Sequence, residues 1–314
     1  MALIATVMGG CGFGGVPAEP SEESEISHAG IPVIAPTSCR DLSSFLADNE
    51  YDWDNLDQGV PLFILETLPP DLHRLPEVRE KKRLFYLSVL PMVLLINEEI
   101  SRQRQEVIVA LQHYDNGFPL SPIQHRRLLD LTGEYRVKGN PLVDLLARRA
   151  LLSKLDTLPV SMVLAQAANE SAYGTSRFAL EGNNLFGQWT YTAGNGMVPL
   201  KRSAGETYEV QRFATLYDSV RAYMKNLNVH RAYGSLRELR SLLRERDLEL
   251  RGTDLAAGLT LYSARREAYV KEIRSIIRGN GLSRLSSLSL QKPSPTVIQQ
   301  PIRQDNQQTL LAAG

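Results

Sequence analysis

Apolar positions along much of this chain recur at three- and four-residue intervals, the period of a helix with one buried face. From Pro159, which suits a first helical turn, Val160, Val163, Leu164, Ala167, Ala168 and Ser171 form one such stripe. The most hydrophobic run, Leu84 to Ile96 (LFYLSVLPMVLLI), has thirteen residues with Pro91 inside. That is short of the roughly twenty needed to span a membrane, so it predicts a buried core helix kinked at Pro91. A second stripe, ISRQRQEVIVALQHYDNG, stops at Asn116-Gly117, and two more helices are expected to start near Ser121-Pro122 and Asn140-Pro141. Residues 207–233 change period. Tyr208, Val210 and Arg212 alternate with Glu209, Gln211 and Phe213 as in a strand, and Asp218 or Ser219 then caps a helix carrying Val220, Tyr223, Met224 and Leu227. The pattern predicts a mainly α (α+β) fold with a small β-hairpin lobe.

The ends read differently. Residues 12–55 are rich in Gly, Pro, Ser and Glu, as in a linker, and after about residue 281 the chain turns to Ser, Gln and Pro, as in a disordered tail. The expected organisation is a leader and linker over 1–55, a helical part over 56–155, a core over 156–280 and a tail over 281–314. At 314 residues and 43% hydrophobic content, the chain can bury one sizeable core. Its 35 basic and 35 acidic residues cancel, which argues against a nucleic-acid binder. The two cysteines, Cys11 and Cys39, both precede the expected domain and cannot staple it, and no His or Cys cluster has metal-ligand spacing. No metal or other cofactor is implied. MALIATVMGGC loosely resembles a bacterial lipoprotein processing site, so attachment to a membrane through a lipidated Cys11 is one expectation. The missing Lys or Arg before the apolar stretch favours an incidental cysteine instead.

Glu170 lies three residues after Ala167 and seven after Val163, so it faces the core. Burial and the nearby helix C-terminus should both raise its pKa and keep it protonated, as a general acid in glycoside hydrolysis requires. Gly174 would release the chain from the helix, and Tyr173, Phe178, Phe186 and Trp189 follow closely, aromatic faces suited to stacking on sugar rings. An ordinary helical Glu paired with an Arg, amid core aromatics, is the alternative.

The segment AQAANESAYGTSRFALEGNNLFG resembles the active-site signature of bacterial peptidoglycan glucosaminidases, glycoside hydrolase family 73, where A-x-x-E-S-x-(W/Y)-G-x-S leads into N-x-F-G. The likeness is nearest to the Bax-like branch, single-domain cell-envelope proteins described as peptidoglycan hydrolases. It covers roughly residues 75–280 and is strongest from Gln166 to Trp189. The resemblance implies a lysozyme-like helical domain whose β-hairpin lobe lies over the active-site cleft. It makes Glu170 the general acid, and Asn184, Phe186 and Gly187 the turn opening the lobe. Tyr217 falls in an F-x-x-Y-x-S step that is here one residue longer, Phe213 to Ser219. Tyr262 corresponds to a Tyr near the catalytic carboxyl, and Tyr269 to the Tyr of the closing helix. Where the family usually has an acid after the first Tyr, this chain has Ser263, Ala264 and Arg265.

The second catalytic group stays open. Glu206, Glu209 and Asp218 are all available, and the resemblance favours an acid in the lobe without fixing which; Glu209 is the strongest of the three. If the N-acetyl group of the substrate attacks, no second carboxylate is needed. The implied function is cleavage of peptidoglycan glycan strands at N-acetylglucosaminyl bonds by Glu170 (an endo-β-N-acetylglucosaminidase), with Glu209 and Tyr262 assisting and Tyr173, Asn184, Phe186, Trp189, Tyr217 and Tyr269 against substrate. The implied location is the bacterial cell envelope, on the periplasmic side. A lytic transglycosylase would use the same Glu but usually carries G-L-M-Q after it, which NNLFGQW matches poorly. A peptidoglycan-binding module would need only the aromatics, and a scaffolding protein neither.

Overall fold

The protein's fold was obtained as a computed structural model, which describes residues 30–192, 194, 196–200, 202 and 205–291. Strand β1 (Val33–Ile34) pairs in parallel with β2 (Ile64–Leu65), and between them lies helix α1 (Cys39–Asp48). The Ser38 side chain caps α1 by accepting from the Asp41 N–H, and Cys39, Leu42 and Leu46 bury its inner face. Residues 30–55 are therefore part of the fold rather than a linker. Their Gly- and Pro-rich neighbours obscured a ten-residue helix with only three inward positions. Cys39 is inside the fold too, contrary to expectation, and burial followed by its contact with Asp71 pushes its thiol up to about 12. Cys11 lies outside the described residues.

The chain then forms the 38-residue helix α2 (Val78–Asp115), which joins the two expected helical stretches without a break. Pro91 removes the N–H that would serve the Leu87 carbonyl, and the buried Tyr51 hydroxyl donates to that carbonyl instead, at 3.3 Å. A packed phenol thus stands in for the missing bond, and the helix runs on. By length and composition α2 could cross a membrane, but 83% of its most apolar window is buried inside the fold, which makes it a core helix.

Helix α3 (Pro122–Glu134) starts at the expected place, with a capping box between Ser121 and Gln124. Helix α4 (Leu145–Lys154) starts four residues after Pro141, because Asp144 is the residue whose side chain accepts from Leu146 and Ala147 N–H. Helix α5 (Val160–Ser171) is the hub, buried on nearly every side; each fully buried Val, Leu or Met there contributes roughly 1.5–3 kcal/mol. The short helix α6 (Arg177–Gly182) leads into β3 (Trp189–Thr190), β4 (Gly196–Met197) and β5 (Glu209–Gln211), a three-stranded antiparallel sheet in the order β3-β5-β4, one strand more than a hairpin. Helix α7 (Leu216–Val229) follows, capped by Thr215 in a box with Asp218, so Asp218 is the reciprocal partner and not the cap itself.

Helices α8 (Gly234–Glu245), α9 (Gly252–Leu255) and α10 (Glu267–Gly279) close the domain, α9 and α10 against α5 and α8 against α4. A buried ionic knot ties α8 to the α4–α5 link. Arg240, fully buried, donates to the Asp156, Thr157 and Ser153 carbonyls and to Asn228, while Asp156 accepts from Arg244. Burial pushes the Asp156 carboxyl up, but Arg240, Arg244 and Arg104 outweigh it and hold the carboxyl below its ordinary range. Beyond α10, Leu282 and Leu285 are buried and residues 289–291 hydrogen-bond Val60, so the chain stays ordered past 281. Residues 292–314 of the expected tail lie outside the described residues.

Candidate active site

Helix α5 carries Glu170 in its last turn, and the chain leaves the helix through three successive left-handed residues, Ala172, Tyr173 and Gly174, with φ of 51°, 57° and 78°. Two of them bear side chains, an arrangement usually costly in backbone strain. Gly174, expected to turn the chain out, is instead the third residue of the turn. A Cβ on it would lie 2.5 Å from Leu68 Cδ1, so any side chain there is strained and displaces its neighbour. Ser171 steadies the exit, donating to the Ala167 carbonyl at 2.6 Å and accepting from the Gly174 N–H at 2.7 Å.

The Glu170 carboxylate is reached by two donors on one oxygen. Tyr269 of α10 donates to Oε1 at 2.8 Å, and Asn169 donates to the same atom at 3.1 Å. Tyr269 in turn accepts from Gln166 Nε2 at 2.9 Å, and Gln166 Oε1 accepts from the Tyr223 hydroxyl of α7. These bonds all point the same way, from Tyr223 through Gln166 and Tyr269 to the carboxyl, and Gln166 is completely buried. Burial raises the Glu170 pKa; the hydrogen bonds from Tyr269 and Asn169 and the charge of Arg265 oppose the rise without cancelling it.

Aromatic rings wall this chain of bonds. Phe186 stacks on Tyr223 with centroids 3.7 Å apart, Tyr262 stacks on Tyr269 at 5.2 Å, and the Tyr262 hydroxyl donates to the Phe186 carbonyl at 3.5 Å. Glu170, Tyr262, Tyr269 and Phe186 thus lie in one cluster. Asn184 is buried beneath them with both ends of its amide used: it donates to the Gln188 and Gln211 carbonyls and accepts from the Phe186 and Gln188 N–H groups. It holds the turn into the lobe, and this leaves it no group for substrate.

Other expected residues sit elsewhere. Tyr173 packs edge-on against Phe85 and Tyr86 of α2 with the Lys82 ammonium 4.8 Å from its ring centre, so it anchors α2 instead of offering a sugar platform. Tyr217 donates to the buried Glu99 carboxylate at 2.8 Å, away from the Glu170 chain of bonds. Trp189 is half-exposed on the lobe and stacks on Tyr208 at 4.4 Å, a flat double ring. Glu209 accepts from the Gly196 N–H at 2.9 Å and the Gly194 N–H at 3.2 Å, which ties its carboxylate to the turn between β3 and β4. Glu206 is exposed in the loop before β5.

Gln166, Tyr223 and Asn169 were not singled out as site residues from sequence. Gln166 carried a signal all the same: a polar residue on α5 among positions buried on every side has to find partners. Among the described residues no group of three His, Cys, Asp or Glu side chains is placed to hold a metal ion.

The family described as "Mannosyl-glycoprotein endo-beta-N-acetylglucosaminidase" (Glucosaminidase) matches residues 147–282, the stretch from α4 through α10 that contains every member of this cluster. Protein bax of Escherichia coli (strain K12) is 32% identical over 211 residues, 67% of this chain and 74% of that protein. No solved structure matches the chain.

Proposed function

The chain belongs to the Bax-like proteins of the glucosaminidase family, and on that premise we propose that it is a glycosidase cleaving peptidoglycan glycan strands at N-acetylglucosaminyl bonds, with Glu170 as the general acid. One observation carries the reading: a carboxyl raised by burial whose Oε1 is occupied by two donors. When Glu170 carries its proton, the oxygen that accepts from Tyr269 and Asn169 is the carbonyl oxygen of the acid. The acidic hydrogen then sits on Oε2, which has no hydrogen-bond partner among the described residues. The donor relay selects the oxygen that gives up the proton.

In the first step Oε2 transfers its proton to the glycosidic oxygen as the bond to the anomeric carbon breaks, and the leaving sugar departs as an alcohol. The new Glu170 carboxylate is met at once by the Tyr269 hydroxyl and the Asn169 amide, donors already in place and needing no reorganisation. It then accepts a proton from the water that completes hydrolysis. Glu209 is committed to two backbone N–H groups of the lobe, which favours the carbonyl oxygen of the substrate's own N-acetyl group as the nucleophile. The stacked Trp189 and Tyr208 supply a flat face at the lobe for a sugar ring.

The test is digestion of purified peptidoglycan by the full chain and by Glu170→Gln, followed by borohydride reduction and mass spectrometry. The expected products are reduced N-acetylglucosamine ends that are missing with the variant. Anhydro-muramyl ends would replace hydrolysis by lytic transglycosylation, and equal turnover by the variant would remove Glu170 from the mechanism.

A further inference from the structure

A concavity of about 700 Å³ lies against another face of α7 than the one carrying Tyr223. On that helix it is lined by Asp218, Arg221, Ala222 and Lys225, whose three- and four-residue spacing marks one stripe, and Tyr223 of the Glu170 site is not on it. The opposite walls come from positions between 96 and 103 of α2 and between 127 and 134 of α3, with Tyr135 just after it. Those residues precede the stretch 147–282 shared with the glucosaminidase family, so the family core alone does not build this cavity.

Part of its lining is polar and only slightly exposed. Glu99 and Gln103, one turn apart on α2, are 7% and 6% exposed. Glu99 accepts from Tyr217, whereas the Gln103 amide makes no hydrogen bond among the described residues. The Gln103 amide instead opens into the cavity, where an entering polar group can meet it.

The cations differ in availability. Lys225 is engaged, with its ammonium 3.4 Å over the Tyr135 ring and 2.7 Å from Glu134, and Arg127 pairs with Glu106 at 3.2 Å. The half-buried Arg221 has neither a hydrogen bond nor an ion pair among the described residues. A free guanidinium presents a fork that matches a carboxylate. Ile96, Ile100 and Phe213 complete the lining with apolar surface suited to small side chains, and the volume falls within the roughly 300–1,000 Å³ typical of ligand pockets.

We propose that this cavity is an accessory site for a short peptide with small side chains and a free carboxylate. The carboxylate pairs with Arg221, a backbone amide is read by Gln103, and an N–H is accepted by Glu99. On the peptidoglycan reading above, on which this last step rests, that peptide is the stem carried by the glycan strand.

Isothermal titration of the full chain with acetyl-Ala-Ala, in L,L and D,D forms, tests the site, with the C-terminal amide of each peptide as control. Binding of the acid is expected, weakened about tenfold or more both by amidation and by Arg221→Leu, the loss of one charge-assisted pair. Gln103→Met, of similar shape, keeps the fold and should also weaken binding. A disaccharide-peptide and the bare disaccharide titrated into Glu170→Gln, where no bond is cut, distinguish the sources: tighter binding of the disaccharide-peptide than of the disaccharide, lost on adding Arg221→Leu, assigns the site to stems on glycan, and equal binding of the two assigns it to released peptide. Absence of heat with every peptide from a protein that still cleaves glycan overturns the accessory site and spares the glycosidase reading. Equal binding of acid and amide overturns the carboxylate assignment. Peptide binding by a chain that cleaves no glycan keeps the site and removes the stem from it.

Discussion

Tyr269→Phe deletes one oxygen from the centre of the relay and moves two observables in defined directions. The ring stays, so its stacking on Tyr262 is kept and no cavity opens. The Gln166 amide N–H, completely buried, loses its acceptor, and an orphaned buried donor costs about 1–3 kcal/mol. Urea denaturation should therefore show a lower midpoint with an unchanged m-value. The second observable is the acid itself. The phenol hydrogen bond favours the charged carboxylate and is the largest of the effects opposing burial at Glu170. Without it burial is less opposed, the acid holds its proton to higher pH, and the basic limb of kcat/KM against pH should shift upward. A limb that stays in place or moves to lower pH would refute the relay as the device that tunes Glu170, and an unchanged midpoint would refute the buried bond to Gln166.

Four further outcomes are expected. Glu170→Gln should lower kcat by about 10²–10⁴-fold; because the folded-state pKa of Glu170 is raised, its acid form favours folding at low pH and that contribution is lost as pH rises through the folded value, so the variant should gain stability over wild type at neutral pH and lose that gain below the ordinary carboxylate range, as thermal melts at several pH values would reveal. Asp156→Asn leaves the fully buried Arg240 without its counter-charge and should cost about 3–5 kcal/mol in chemical denaturation. Gly174→Ala forces a methyl to within 2.5 Å of Leu68 at a φ of 78° and should cost about 1–3 kcal/mol, with turnover falling more than stability because Glu170 is four residues away. Glu209→Ala should loosen the turn between β3 and β4, speeding amide exchange at Gly194 and Gly196; a collapse in turnover with protection unchanged would instead give Glu209 a chemical role.

Much of this arrangement is written in local sequence pattern. The α5 stripe, the Ser121-Pro122 helix start and the change of period before α7 all follow from neighbours within four residues, and the structure agrees with each. Glu170, Phe186, Tyr262 and Tyr269 were pointed to by the resemblance to the glucosaminidase signature rather than by spacing, and the structure places them in one cluster. What local pattern did not reveal depends on partners distant in sequence. Tyr173 looked like a sugar-facing aromatic until three left-handed residues turned it onto α2, and Tyr217 looked like part of the cleft until its hydroxyl met Glu99, 118 residues away. The short α1 was hidden for a related reason: three inward positions in a Gly- and Pro-rich region are too few to register as a period.

Pro91 and Tyr51 make the long helix a property of two distant stretches of chain. A fragment beginning after residue 51 would keep every residue of α2 and still lack the one donor that closes its broken rung, so the rod should hinge near Leu87 and fray in hydrogen exchange on both sides. Helices α5 and α7 both rest on that rod. Trimming a segment remote from Glu170 would therefore shift the two helices that hold Glu170 and Tyr223 relative to each other, and a unit that keeps this rung closed reaches back at least to Tyr51, well upstream of the Glu170 cluster.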